Sequence, residues 1–331
     1  MKFKTILFFI ALIAVCNISC NNDLKILAPY KNITVVYGLM DQNDSVHYFR
    51  INKAFEGSGN AYEMAKQYDS IYYPVGLISA VLEDSSTTTN SIVATYKLDT
   101  TTAIPLGPGT FPYPKQLLYY SKAQLNPNDY FNLIITNTKT GQKITGSTSL
   151  LSDVNLGSFV NGTMINISNN SAVPTTLSWN SVFNGRIYQM TIRFFYSETY
   201  QSNRTSHFLD WIFPSQTSST LAGQESLIYT FTAIDLYDLI ASSMKPELGV
   251  TRTADSVQVI FTTGSDDLNT YVQLSQPPTG INQDVPSFSD IKNAVGLYTS
   301  RHVQTFYHKQ LGQADLDSIK NGSITGNLGF Q

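Results

Sequence analysis

A chain of 331 residues is about two domains long. Charged residues make up 14% while Tyr and Phe together number 38, which excludes an ordinary disordered chain and argues against long solvated helices and coiled coils. The net charge is −3 with no Lys/Arg cluster after the first few residues, so nucleic-acid binding lacks its electrostatic footprint.

Lys2 and Lys4 open the chain, and Ile6 to Val15 is an unbroken apolar run. Ten helical residues reach about 15 Å, against a bilayer core of about 30 Å. Residues 1–19 therefore read as a cleaved signal peptide rather than a spanning anchor. The run ends in Asn17-Ile18-Ser19-Cys20, which resembles the end of a bacterial lipoprotein signal, where a small residue precedes the cysteine that is lipidated and becomes the first mature residue. The rival, Cys16, follows β-branched Val15. The resemblance implies a lipid anchor at Cys20 and an outer-membrane address, the face of the membrane staying open, with 20–31 as a polar tether. Cleavage leaves Cys20 as the only cysteine, so no intrachain disulfide forms, and 19 basic residues face 24 acidic ones, a net charge of −5.

Strands follow one another from there. Ile33 to Met40 is a β-branched run, and Val46 to Phe55 alternates with one slip of phase, which places Val46, Tyr48 and Ile51 inward and His47 outward beside Arg50. Ala61 to Gln67 forms one or two helical turns capped by Asn60 and stopped by Pro74. Strands resume at 75–82, 92–98, 116–120 and 130–136, and a hairpin turn at 138–142 leads into 143–149. The four prolines and two glycines between Thr101 and Pro114 make a long loop. Short strands at regular spacing suggest an Ig-like or fibronectin-like sandwich over 32–150.

A second unit, 151–331, opens with strands at 165–167, 175–179 and 186–196. Its segment Thr176-Leu177-Ser178-Trp179-Asn180, with Asn184-Gly185-Arg186-Ile187-Tyr188, resembles the early strands of a fibronectin type III domain, which implies a buried Trp179. Ala233 to Met244 reads as an inserted amphipathic helix. Ser256 to Thr263 and Asn269 to Leu274 look like a hairpin across Gly264-Ser265-Asp266-Asp267. A proline-containing loop at 276–286, a strand at 293–299 and a terminal helix at 315–320 complete the chain. The expected fold is thus mainly β, with two Ig/fibronectin III-like β-sandwich domains.

Val36-Tyr37-Gly38-Leu39, Val46-His47-Tyr48-Phe49-Arg50-Ile51, Pro74-Val75 and Ala294-Val295-Gly296-Leu297-Tyr298-Thr299-Ser300-Arg301, with the lipidation site, resemble a family of Bacteroidota cell-envelope lipoproteins of unknown function. That resemblance implies an envelope location and an association with TonB-dependent receptors, and it supplies no catalytic residue.

The chemistry of the chain is sparse. His302 and His308 lie six apart with no carboxylate at metal-ligand spacing, so no metal site is expected. Asp266-Asp267 sits in the expected turn, where Asp bonds its own backbone. No nucleophile elbow, P-loop or dinucleotide fingerprint occurs, and no cofactor is expected. The remaining signal is aromatic: Tyr62, Tyr68, Tyr72 and Tyr73 cluster around one loop, Phe111 and Tyr113 around another. Aromatic loops on a sandwich stack on sugar rings or face a protein partner. The expected function is a non-catalytic binding or accessory lipoprotein, with a TonB-dependent receptor or a glycan as partner and the membrane engaged through the lipid. The alternatives are a fimbrial subunit and a hydrolase whose site is assembled from distant residues.

Overall fold

The computed structural model describes residues 33–54, 60–160, 162–167, 173–276 and 288–331. The signal peptide, Cys20 and the tether lie outside the described residues, as does most of the loop expected at 276–286. With 46% strand and 15% helix the fold is mainly β, built from several sheets. No helix among the described residues is long and apolar enough to cross a membrane.

The first half contains β1 (Thr34–Met40), β2 (His47–Lys53), α1 (Ala61–Ala65), α2 (Tyr68–Ile71), β3 (Ile78–Ser85), β4 (Ile92–Lys97), β5 (Asp99–Thr101), β6 (Leu118–Ser121), β7 (Tyr130–Asn137) and β8 (Lys143–Ser149). The second contains β9 (Met164–Ile165), β10 (Thr175–Asn180), β11 (Gly185–Tyr200), β12 (Asn203–Ile212), β13 (Gln216–Thr217), β14 (Ser226–Phe231), α3 (Ala233–Ser243), β15 (Val250–Ser265), α4 (Asp266–Leu274), β16 (Val295–Leu311) and α5 (Gln313–Asn321).

Two layers enclose the N-terminal core. One is the four-stranded sheet β4-β3-β7-β8; the other is the β16-β1-β2-β6-β5 portion of a larger sheet. Strict alternation drives both. Val36, Phe49 and Ile51 point in from one layer, Leu82, Phe131, Leu133 and Ile135 from the other, and all are buried. Between them lies Tyr298 of β16, fully buried, its hydroxyl donating to the Phe131 carbonyl at 3.3 Å. Two glycines make room for these rings. A Cβ on Gly38 would meet the Phe49 ring at 2.7 Å, and one on Gly146 would meet Tyr298 at 2.9 Å.

β16 joins the halves. Val295 to Ser300 run parallel to β1, pairing Val35 with Val295 through Met40 with Ser300. The same strand then pairs antiparallel with β15, Gly264 facing Arg301 and Thr263 facing His302. The large sheet is therefore one path, β12-β11-β15-β16-β1-β2-β6-β5, and residues near the C-terminus complete the N-terminal layer. In the second core Trp179, 3% exposed, packs against Tyr229 and Phe261 at ring separations of 4.8 and 5.2 Å, as the resemblance implied. The separate pair β10-β14 and the helix α3 contribute to this core, and Asp235 caps α3 by accepting from the Thr232 amide at 2.8 Å.

Three local expectations are corrected. His47 is 1% exposed, with Phe49 and Ile51, because β2 keeps its phase without a slip; Tyr48 and Arg50 take the outer face. Residues 269–274 form the helix α4, not a strand. Ser265 accepts from the Leu268 amide at 3.2 Å, and Asp266 and Asp267 occupy the first turn, where carboxylates oppose the positive end of the helix dipole. Asn203–Ile212, assigned no element from the sequence, is the edge strand β12 on β11.

Candidate functional site

The antiparallel register of β1 and β2 sets Tyr37 opposite Arg50 and Val35 opposite Asn52. Residues two apart on a strand share a face, so these four side chains form one patch on the outer surface of the sheet. Two segments wall the patch. One is α2 with the residue after it, presenting Ile71 and Tyr72; the other is the proline-rich loop, presenting Leu106 and Phe111. Lys53 and Ala54 close one end. The half-open cavity measures about 380 Å³, within the span of ligand sites, roughly 300–1,000 Å³.

Each wall is held in place. The amide of buried Gln116 donates to the Ile104 carbonyl at 3.3 Å while its oxygen accepts from Arg50 Nη2 at 3.1 Å, tying the loop to the sheet. The Leu106 amide donates to the Pro114 carbonyl at 2.7 Å. On the other side the Tyr72 and Tyr68 rings pack at 4.4 Å, tilted by 39°, with Lys115 5.3 Å over the Tyr68 ring. Lys53 donates to the Asp69 carbonyl and lies 5.9 Å from the Tyr73 ring centre. Burial raises the Tyr72 hydroxyl above its ordinary value, against the lowering effect of the Arg50 charge. Tyr37 is likewise raised by burial and by its hydrogen bond with Tyr271.

The six expected contact aromatics have different fates. Tyr72 and Phe111 line the same cavity from two segments. Tyr62 and Tyr113 are exposed, 59% and 55%, outside it. Tyr68 supports Tyr72 from behind. Tyr73 belongs to the core, its hydroxyl 2.7 Å from Thr34 Oγ1. Nothing in their sequence spacing foretold Arg50, Asn52 or Tyr37 as cavity residues; those depend on strand register. Three larger openings, of about 420, 660 and 860 Å³, are lined chiefly by hydroxyl, amide and charged groups and contain none of the six.

A second cluster was invisible in the sequence. His302, without any carboxylate near it in the chain, has one at each ring nitrogen. Nδ1 lies 2.9 Å from Asp41 Oδ1 and Nε2 lies 2.6 Å from Asp153 Oδ1. Asp41 also accepts from the amides of Asn43 at 3.0 Å and Val303 at 2.9 Å. Burial drives the His302 pKa down, but bonds to both aspartates outweigh it and the net shift is upward. For Asp41 burial pushes up, and His302 with the two amides brings the net value below the ordinary one. The carboxylates approach opposite edges of the ring, so they do not converge on a common ligand point. His47, by contrast, is lowered by burial, with its Nε2 3.2 Å from the Ala123 carbonyl. Among the described residues no group of three His, Cys, Asp or Glu is arranged to hold a metal ion.

The chain matches no protein-family model, and no curated protein is similar to it at a significant level.

Proposed function

We propose that the protein is a non-catalytic lipoprotein of the outer membrane, anchored through Cys20, that serves as a binding or accessory module alongside a TonB-dependent uptake system. We infer further that its halves are Ig/fibronectin III-like β-sandwich domains, the second with α3 inserted. The lipoprotein reading rests on the sequence resemblance to Bacteroidota envelope lipoproteins. The domain reading is supported by the two facing layers of the first half and by buried Trp179 in the second.

The observation that carries the binding role is the cavity over β1 and β2, where Tyr72 and Phe111 from separate segments meet above an outer sheet face. Apolar walls with a few convergent polar groups are the usual composition of a binding site. Affinity capture of the tagged full-length protein from native membranes tests the reading. A co-purifying TonB-dependent receptor, or retention on a polysaccharide panel, lost with Phe111→Ser, is the expected result. A ladder of self-polymers would favour the fimbrial alternative, and recovery of the monomer alone with no retention would count against binding. Cys20→Ala is expected to move the protein out of the membrane fraction; continued membrane association would refute the anchor.

A further inference from the structure

The arginine of the cavity differs from most arginines of the chain. Arg186, Arg193, Arg204 and Arg252 each pair with a carboxylate, at 2.6 to 2.7 Å. Arg50 has no such pair among the described residues; its guanidinium donates to the neutral amide of Gln116. Lys53 also lines the cavity, bonded to a backbone carbonyl, and no Asp or Glu among the described residues lines it. Two positive charges on an apolar-walled space with no carboxylate among its described lining residues make a positive local field. Partial desolvation strengthens such a field toward an incoming anion.

We propose that this cavity binds a carboxylate that carries an apolar side chain, as an acylated amino acid or a peptide C-terminus does: the carboxylate on Arg50 and the apolar side chain between Tyr72 and Phe111. Arg50 is suited to the carboxylate because its planar fork matches the two oxygens, and Gln116 already fixes one of its amino groups. The inference rests on the binding role proposed for the same cavity and names the ligand chemistry of that role. The volume, about 380 Å³, suits one or two residues of such a ligand and not a long oligosaccharide.

The test is titration calorimetry of the intact mature protein with N-acetyl-phenylalanine, with its neutral amide, and with a short peptide ending in phenylalanine, free or amidated at its C-terminus. The free acids are expected to bind at least about tenfold more tightly than the amides, with an affinity that falls as salt rises. Arg50→Gln is expected to abolish that preference, Arg50→Lys to keep part of it, and Phe111→Ser to weaken acid and amide alike. Amide chemical shifts of the wild-type protein, which need no variant to fold, are expected to move at Arg50, Asn52 and Tyr72. Binding of the acetylated amino acid but not the peptide assigns a free solute; the reverse assigns a protein terminus. Equal affinity for acid and amide, or an Arg50→Gln protein that keeps the preference, would overturn the carboxylate inference and leave the binding role standing. Shifts at the cavity with a sugar and none with any acid would do the same. Silence toward acids, glycans and membrane partners together would overturn both.

Discussion

Replacing His302 with Gln removes a buried cation held between carboxylates from distant parts of the chain, and its cost can be worked from the geometry. Breaking a buried ion pair typically costs about 3–5 kcal/mol. Two features lower that figure here. The Asp153 side chain is 68% exposed, so its share is screened, about 0–1 kcal/mol at most. Asp41 keeps its bonds from the Asn43 and Val303 amides and is not left wholly unpaired. The expected loss is therefore about 2–3 kcal/mol at pH 6. It also carries a pH signature. The folded-state pKa of His302 is raised, so its contribution is fully present below the unfolded value, about 6.5, and is lost as pH rises through the higher folded value. Urea denaturation of wild type and variant at pH 6 and pH 8.5 reads both effects. The gap between them is expected to narrow with rising pH, and Asp153→Asn is expected to cost less than His302→Gln. A His302→Gln protein within about 0.5 kcal/mol of wild type at pH 6, or a gap that does not change with pH, refutes the reasoning.

Trp179→Ala is expected to lose about 3–5 kcal/mol in the same assay; Trp179→Phe is expected to lose much less, because it keeps the ring contacts and removes an indole N–H that is buried without a partner. Burial, with the Asp267 charge nearby, raises the Asp290 carboxyl to about 6, so wild type is expected to lose stability as pH rises from the unfolded carboxylate value, about 3.9, through 6. An Asp290→Asn protein is expected to lack that slope in equilibrium unfolding and to be the more stable at pH 7. A fragment ending at Leu151 is expected not to fold alone, since it lacks Tyr298 and the strand that covers β1; circular dichroism and amide dispersion, with and without co-expressed 152–331, check this.

What the sequence made legible was whatever depends on residues near one another in the chain. β7 buries alternate residues throughout and β3 does so from Ile78 to Asp84, so their period of two is plain in the letters. The helix α3 carries both an apolar face and an Asp three residues after its Thr cap. Failures occurred where two local signals compete. Asn269 to Leu274 has strand-like residues, but the cap at Ser265 and the acidic pair after it decide for helix. In β2, two interleaved apolar sets could each be inward, and what selects His47, Phe49 and Ile51 is the facing layer, which the local sequence does not contain. β12 is mostly exposed beyond its pairing with β11, so it has no buried face to imprint an alternation.

The candidate site divides along the same line. Tyr72 and Phe111 could be singled out because aromatic rings in loops are conspicuous in composition. Arg50 and Asn52 could not, because an arginine and an asparagine on a strand are ordinary until the partner strand is known. Their significance comes from the register that sets them against Tyr37 and Val35, and from the lack, among the described residues, of a carboxylate on Arg50 where four other arginines have one. His302 is the extreme case, with partners 261 and 149 residues away. His302 lies on β16, whose first six residues pair with β1 and whose next residues cross to β15. By pairing along β1 it gives that strand a partner on each side, and by carrying His302 to Asp41 it fixes the end of β1 against the linker that bears Asp153. The outer face of β1 and β2 thus stands on a sheet held from both halves of the chain, which is the kind of rigid support a preorganised binding surface requires.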